Sequence, residues 1–243
     1  MLDSTAIAYA TRHLSAAALA AALALPMVSW SRLDARPLPT TVPTAVSGIA
    51  KVIDGDTIDV EGTRVRMEGI DAPEATQTCG RRWIGSWGCG QAAAAELARL
   101  VDGQQVKCES RGTDKYGRML GVCFAGGRDI NAEMVNRGLA WAFVKYSTTY
   151  QHAEADARAR KIGIWQGQAQ PPWEYRHARW TTAEGTAPEG CAIKGNVTAN
   201  GRIYHMPWSP WYEQIRIDPD KGKRWFCSEA EAVAAGWRPV QVY

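Results

Sequence analysis

Apolar and polar residues alternate over several short stretches in the first two thirds of the chain, and turn-forming residues separate these stretches. The pattern predicts β-strands over residues 49–60, 64–70, 106–110 and 119–125. The first stretch is interrupted by a turn at residues 54–56, which read Asp-Gly-Asp, so it provides two strands. The sequence therefore predicts five short strands.

Three further stretches have the spacing of helices. Residues 91–101 place their leucines on one face, residues 130–137 follow a capping residue, Asp129, and residues 149–161 end before Gly163. Five short strands interspersed with about three helices are typical of a small barrel with helical additions. The expected fold class is therefore α+β, mainly β.

The N-terminal part of the chain follows a different pattern. Residues 14–25 are an uninterrupted run of Leu, Ala and one Ser. About twelve apolar residues suit the core of a signal peptide and fall short of the roughly 20 needed to span a bilayer. We expect residues 1–47 to hold an export signal or a membrane anchor, followed by a Pro-rich tether. The alternative is a buried Ala/Leu helix.

The C-terminal part divides into two segments. Residues 167–190 contain several Pro, Gly, Thr and Glu residues, a composition that favours a linker. Residues 191–243 are rich in tryptophan and are expected to form a small module held together by a disulfide. Their tryptophans suggest a surface for polysaccharide, for nucleic acid or for the preceding domain.

Composition narrows the class of protein without identifying a partner. Hydrophobic residues make up 46% of the 243 positions and charged residues 22%, which is ordinary for a globular protein. The net charge of +3 is spread evenly along the chain. No basic domain or tail indicates nucleic acid or anionic lipid, so a partner has to be argued from specific residues.

The six cysteines bear on location and stability. An even number of cysteines in an exported chain predicts three disulfides. Proximity along the chain favours the pairs Cys79 with Cys89 and Cys108 with Cys123, and Cys191 and Cys227 remain as the third pair. A zinc site formed by Cys191, His205 and Cys227 is the alternative for the last pair.

Three clusters of charged residues lie at the ends of predicted strands, at residues 54–57, 66–74 and 113–118. Carboxylates bind hard divalent cations, a Glu beside such a cation can activate water, and the planar guanidinium of Arg matches phosphoryl oxygens. Together these groups meet the requirements of phosphodiester cleavage. The alternative is ordinary turn and surface chemistry, because Asp-Gly turns and exposed arginines are common.

A series of motifs favours the first interpretation. From about residue 48 to 166 the sequence resembles the staphylococcal-nuclease-like (thermonuclease) family. It contains, in the family's order, Val-Ile-Asp-Gly-Asp-Thr at 52–57, Arg-x-x-Gly-Ile-Asp-Ala-Pro-Glu at 66–74, Asp-Lys-Tyr-Gly-Arg at 114–118, and Gly-Ile-Trp at 163–165. The resemblance implies a five-stranded OB-fold barrel with three helices.

The resemblance also implies a role for individual residues. Arg66 and Arg118 would hold and neutralise the scissile phosphate, and Glu74 would act as general base on water. The leading hypothesis is an exported, calcium-dependent, monomeric nuclease that acts on DNA and RNA and prefers single strands. One alternative is an OB-type nucleic-acid-binding protein without catalysis. The other is a cell-envelope protein whose Trp-rich tail is the functional part.

By the same resemblance, Asp56 and Asp71 would bind calcium through their carboxylates, and Ala72 through its backbone carbonyl. Many family members have Thr in place of Ala72, and a carbonyl ligand survives that change. Lys115 and Tyr116 match positions that contact the terminal phosphate of bound nucleotides.

The insert between Cys79 and Cys89 lengthens the loop that follows Glu74. Its arginines and tryptophans would form a basic, aromatic rim for single-stranded substrate. The alternative is a stapled loop whose tryptophan rings pack on the barrel.

Overall fold

Residues 43–241 are described by a computed structural model of the protein. The expected signal or anchor lies outside these residues. The strands are β1 (Ala45–Val52), β2 (Thr57–Val60), β3 (Thr63–Met67), β4 (Ile70–Asp71), β5 (Cys79–Gly80), β6 (Ser86–Trp87), β7 (Gln105–Thr113), β8 (Met119–Ala125), β9 (Arg128–Asp129), β10 (Trp141–Ala142), β11 (Ile193–Thr198), β12 (Gly201–His205), β13 (Arg224–Phe226) and β14 (Arg238–Pro239). The α-helices are α1 (Cys89–Val101), α2 (Ile130–Asn136), α3 (Gln151–Ala159), α4 (Pro172–Glu184) and α5 (Glu229–Ala234). None of these helices has the length and apolar character needed to cross a membrane.

Five strands close into a barrel. They are hydrogen-bonded in the order β3-β2-β1-β7-β8, and parallel pairing of β3 with β8 closes the ring. Ile58, Val65 and Met119 are buried inside it, because alternate residues of a strand face the same side of the sheet. The predicted α+β fold with a five-stranded barrel is confirmed.

The predicted helices correspond to α1, α2 and α3. Helix α1 packs on the barrel through a buried face that includes Leu97 and Leu100. Helix α2 is capped as expected, since Asp129 Oδ1 accepts the N–H of Ala132 at 3.0 Å. These helices contribute to the same hydrophobic core as the strands.

The six cysteines form the three predicted disulfides, Cys79–Cys89, Cys108–Cys123 and Cys191–Cys227. The zinc alternative is wrong, because two of its three ligands are bonded to each other. Disulfides form and persist in oxidising compartments. The three bridges therefore indicate a location outside the cytoplasm.

The C-terminal module is a second, smaller sheet with its own core. Its strands are ordered β13-β11-β12-β14, and α5 packs against them. The core contains Ile193, Tyr204, Phe226 and Trp237. Trp180 packs on this core from outside the sheet. Part of the tryptophan content that suggested a ligand surface is therefore used in packing.

The segment at 167–190, expected to be a linker, contains the helix α4. Pro171 and Pro172 lie at its start, where a missing N–H costs nothing. The helix is held by aromatic contacts, since Trp173 stacks on Phe143 at 5.4 Å between ring centroids and meets the edge of Trp141. Local composition cannot show these contacts, because the partner rings lie about 30 residues earlier in the chain.

The insert between Cys79 and Cys89 is a stapled loop with one packed and one exposed tryptophan. Trp87 packs with this disulfide and Ile164, as a stapled loop would. Trp83 is 86% exposed and has the guanidinium of Arg82 at 5.0 Å from its ring centroid. One tryptophan is thus structural, and the other is presented to solvent beside a cation.

Candidate active site

Three charged residues of the barrel form a buried bridge. Asp56 lies in the turn before β2, Arg66 on β3 and Asp71 on β4. Arg66 donates to Asp56 Oδ1 through Nη1 and to Asp71 Oδ1 through Nη2, the latter at 2.8 Å. The side chains of both aspartates are almost fully buried. Arg66 therefore compensates two carboxylates that water does not reach.

The backbone of Ala72 is part of the same bridge. Its N–H donates to Asp56 Oδ2 at 2.7 Å. Thr57 Oγ1 donates to Asp56 Oδ1 at 3.2 Å. Both oxygens of Asp56 therefore accept hydrogen bonds, which fixes the carboxylate beside Asp71 and the backbone of Ala72.

Glu74 lies on the loop after β4, and a local turn fixes its backbone. Its N–H donates to the side-chain oxygen of Gln77 at 3.2 Å, and its carbonyl accepts the N–H of Gln77 at 2.7 Å. The side chain of Gln77 also donates to the carbonyl of Gln170, just before α4. Gln77 therefore links the loop that presents Glu74 to the segment just before α4.

The start of α1 also limits the position of Glu74. A Cβ placed on Gly90 would lie 1.7 Å from the carbonyl oxygen of Glu74 and 2.9 Å from the Cα of Ala75. Contacts this short do not occur between unbonded atoms, so only glycine permits this approach of the helix to the loop.

We expect Gly90→Ala to displace the Glu74 loop and to lower, by about 10²-fold, the phosphodiester cleavage that the sequence resemblance implies, because a shift of about 1 Å at a reacting group has that effect. Activity on denatured DNA at a temperature where the variant is folded is the measurement. Gly88→Ala is the matched control, since a Cβ there meets Gln91 only at ordinary distances of 3.4 Å or more. Equal activity of the two variants would contradict the tight approach.

Arg118 and its neighbours form a second cluster. Arg118 Nε donates to Asp114 Oδ2 at 2.6 Å, and Asp114 Oδ1 accepts the N–H groups of Tyr116 and Arg118. The Arg118 guanidinium and the Lys115 ammonium lie 5.4 and 4.8 Å from the centroid of the Tyr116 ring. The turn thus presents two cations and an aromatic ring together.

Arg176 is a site residue that the sequence analysis missed. It is contributed by α4, and its Nη1 donates to Asp71 Oδ1 at 3.0 Å and to Glu74 Oε1 at 2.8 Å. Its Nη2 donates to Asp71 Oδ2 at 2.7 Å. These contacts span more than 100 residues of sequence, and no motif around Arg176 signals them.

Burial and charge act in opposite directions on the acids of the site. The pKa of Glu74 is raised to about 7: burial raises it most, Asp54 and Asp71 also raise it, and Arg176 lowers it. Burial also acts to raise the pKa of Asp71, but Arg66 and Arg176 outweigh it and hold that pKa below its usual range. At neutral pH Asp71 is ionised, and Glu74 can both accept and release a proton.

A single cleft joins the two clusters. It is a cavity of about 750 Å³ whose barrel side includes Arg66, Glu74, Lys115, Tyr116 and Arg118. Its other side comes from the C-terminal part of the chain, through Arg176, Tyr204, Met206, Trp208 and Glu229. All five predicted catalytic and substrate-binding residues therefore line one space, together with residues that lie beyond the predicted nuclease domain.

The predicted metal ligands have the right donor chemistry, but the carboxylate oxygens of Asp56 and Asp71 accept hydrogen bonds from other groups. Asp56 and Asp71 offer carboxylate oxygens, and Ala72 a carbonyl, which are ligands that calcium takes. Within residues 43–241, no group of three or more His, Cys, Asp or Glu side chains is arranged to hold a metal ion. The oxygens of Asp71 instead accept hydrogen bonds from Arg66 and Arg176.

Comparison with known proteins agrees with this geometry. A family model described as staphylococcal nuclease homologue matches residues 64–167, and one described as ArfC matches residues 174–239. The chain is 38% identical over 149 residues to the micrococcal nuclease of Shigella flexneri, across 54% of this chain and 79% of the relative. It is 38% identical over 129 residues to the succinoglycan biosynthesis protein ExoI of Rhizobium meliloti, across 51% and 66% of the two chains. It is 32% identical over 181 residues to protein ParB of Escherichia coli, across 67% of this chain and 90% of the relative.

A closed barrel with arginines and carboxylates in one cleft, together with these relatives, defines the class of the protein as a nuclease, a phosphodiester hydrolase. The substrate of that class is nucleic acid, and nucleases related to staphylococcal nuclease generally use a metal ion. The chain belongs to the staphylococcal nuclease family.

Proposed function

We propose that the protein is an exported, calcium-dependent nuclease that cleaves phosphodiester bonds of DNA and RNA and prefers single strands. The observation that carries the proposal is the meeting of Arg66, Glu74 and Arg118 in one cavity. Export is supported by the three disulfides. All of these side chains come from one chain, which is consistent with action as a monomer.

In this proposal the two arginines bind the scissile phosphate. Arg66 and Arg118 are only 16% and 25% exposed in their side chains, so their charges act in an environment less polar than water. A planar guanidinium donates to two phosphoryl oxygens at once and stabilises the charge that develops on them. Lys115 and Tyr116, beside Arg118, would contact a neighbouring phosphate and nucleotide.

Glu74 is proposed as the base that removes a proton from the attacking water. A base is most effective when its pKa lies near the working pH, and burial brings the pKa of Glu74 to about 7. The turn formed with Gln77 holds the loop in place, so the carboxylate is presented to the cleft in a fixed position.

Asp56, Asp71 and the carbonyl of Ala72 are proposed to hold the metal ion. When bound, calcium would supply positive charge that polarises the phosphate and favours ionisation of the attacking water. The preference for single strands is supported by the cleft, whose far wall includes Tyr204 and Trp208. A cleft with two walls admits one strand more easily than a duplex.

The test is digestion of denatured DNA by the purified protein with calcium, with a chelator, and with the chelator followed by excess calcium. We expect the chelator to abolish cleavage and calcium to restore it. Cleavage that persists in chelator would contradict the metal-dependent mechanism. Binding of DNA without cleavage in calcium would instead indicate a non-catalytic OB-type protein.

A further inference from the structure

The guanidinium of Arg176 lies where the proposed metal ion would need free carboxylate oxygens. It donates to both oxygens of Asp71 and to one of Glu74. Asp71 Oδ1 also accepts from Arg66. Asp71 therefore has each oxygen bound to a cationic side chain, and one of these side chains comes from outside residues 64–167, the part that matches the nuclease family model.

A calcium ion and this guanidinium cannot occupy the same oxygens together. Calcium binds carboxylate oxygens directly at about 2.3–2.6 Å, and Arg176 Nη2 is 2.7 Å from Asp71 Oδ2. Two cations at such a distance from one oxygen repel each other strongly in a site from which water is largely excluded. Binding of the metal at Asp71 thus requires Arg176 to release at least one of its hydrogen bonds.

Contacts on either side of Arg176 hold the backbone of α4 in place, so we expect the release to come from the side chain. Trp173 stacks on Phe143, and the hydroxyl of Tyr175 lies 2.9 Å from Thr76 Oγ1. Both contacts are within three residues of Arg176 and attach the helix to the segments that follow β4 and β10. A displaced guanidinium therefore remains inside the cleft, where it can donate to the phosphate of a bound nucleic acid.

We propose that Arg176 is an internal cation that competes with the divalent metal for Asp71, and that it joins Arg66 and Arg118 as a third phosphate-binding arginine when the metal is bound. The inference depends on the proposed function, which places the metal at Asp71. The apparent affinity for a ligand falls in proportion to the fraction of protein that is competent to bind it. Arg176 therefore makes the protein bind calcium more weakly than the barrel residues alone would.

The test is a calorimetric titration of the whole protein with calcium, with no nucleic acid present. We expect Arg176→Gln to bind calcium at least tenfold more tightly than the wild type, and Arg176→Lys to fall between them, because lysine keeps the charge but cannot donate to both carboxylates in a planar fork. Arg202→Gln, which removes one exposed charge of the module, is the control and should bind as the wild type does.

A second measurement, of the melting temperature, tests whether a change in folding accounts for the difference in calcium binding. Without calcium, Arg176→Gln should melt at a lower temperature than the wild type, because Asp71 and Glu74 lose a partner. Saturating calcium should raise the melting temperature of Arg176→Gln by more than it raises that of the wild type. If the wild type binds calcium and Arg176→Gln binds it no more tightly, the competing role of Arg176 is overturned while the proposed metal site stands. Failure of both proteins to bind calcium would overturn the proposed metal site and this inference with it.

Discussion

Replacement of Arg66 by glutamine should both destabilise the fold and remove nuclease activity. The variant leaves Asp56 with no cationic partner and Asp71 with Arg176 alone, although both carboxylates are almost fully buried. Removing one partner of a buried ion pair costs about 3–5 kcal/mol. The loss of one group that stabilises the charge of the transition state lowers the rate by about 10²–10³-fold.

Urea unfolding measures the first effect, and digestion of denatured DNA at a temperature where the variant is folded measures the second. Arg66→Lys should recover part of the stability, since its ammonium keeps the charge but cannot bridge two carboxylates as a guanidinium does. Arg128→Gln, at an exposed position of β9, is the control and should change stability by no more than about 0.5 kcal/mol. A stable Arg66→Gln protein would contradict the compensating role of Arg66.

The barrel could be predicted from sequence because its signals are local. Alternation identified the strands around Arg66 and Arg118, and proximity along the chain identified the pair Cys108–Cys123, which lies in register across β7 and β8. Each of these features depends on residues that are neighbours in sequence or in a hairpin. The motifs at 54–57, 66–74 and 113–118 then reach one cleft because the barrel brings their strand ends together.

The contribution of α4 could not be predicted for the opposite reason. Its start looks like a linker, because Pro171 and Pro172 are adjacent, and its attachment depends on aromatic rings distant in sequence. Arg176 meets Asp71 and Glu74 only after α4 has docked on the barrel. A side chain whose partners lie more than 100 residues away leaves no spacing pattern to detect.

Replacement of Glu74 by glutamine should remove activity while leaving the fold nearly as stable as before. Glutamine has the same shape, and its side-chain oxygen can still accept the hydrogen bond that Arg176 now donates to Glu74 Oε1. Because burial raises the pKa of Glu74 to about 7, the wild-type carboxyl group is already partly neutral near pH 7, so the change in charge is small. The loss of a general base lowers the rate by about 10²–10⁴-fold.

The pH dependence separates this role from a merely structural one. A base acts only when deprotonated, so the wild-type kcat/KM should rise with increasing pH as Glu74 ionises. The positive charge of bound calcium should move this rise below the pKa of about 7 that Glu74 has without metal. The residual activity of Glu74→Gln should lack this rise, because glutamine does not titrate. Glu174→Gln, at an exposed position of α4, removes a carboxylate outside the cleft and should keep both the wild-type rate and its pH profile. If Glu74→Gln retained more than a tenth of the activity, or the same rise with pH, another group would have to be the base.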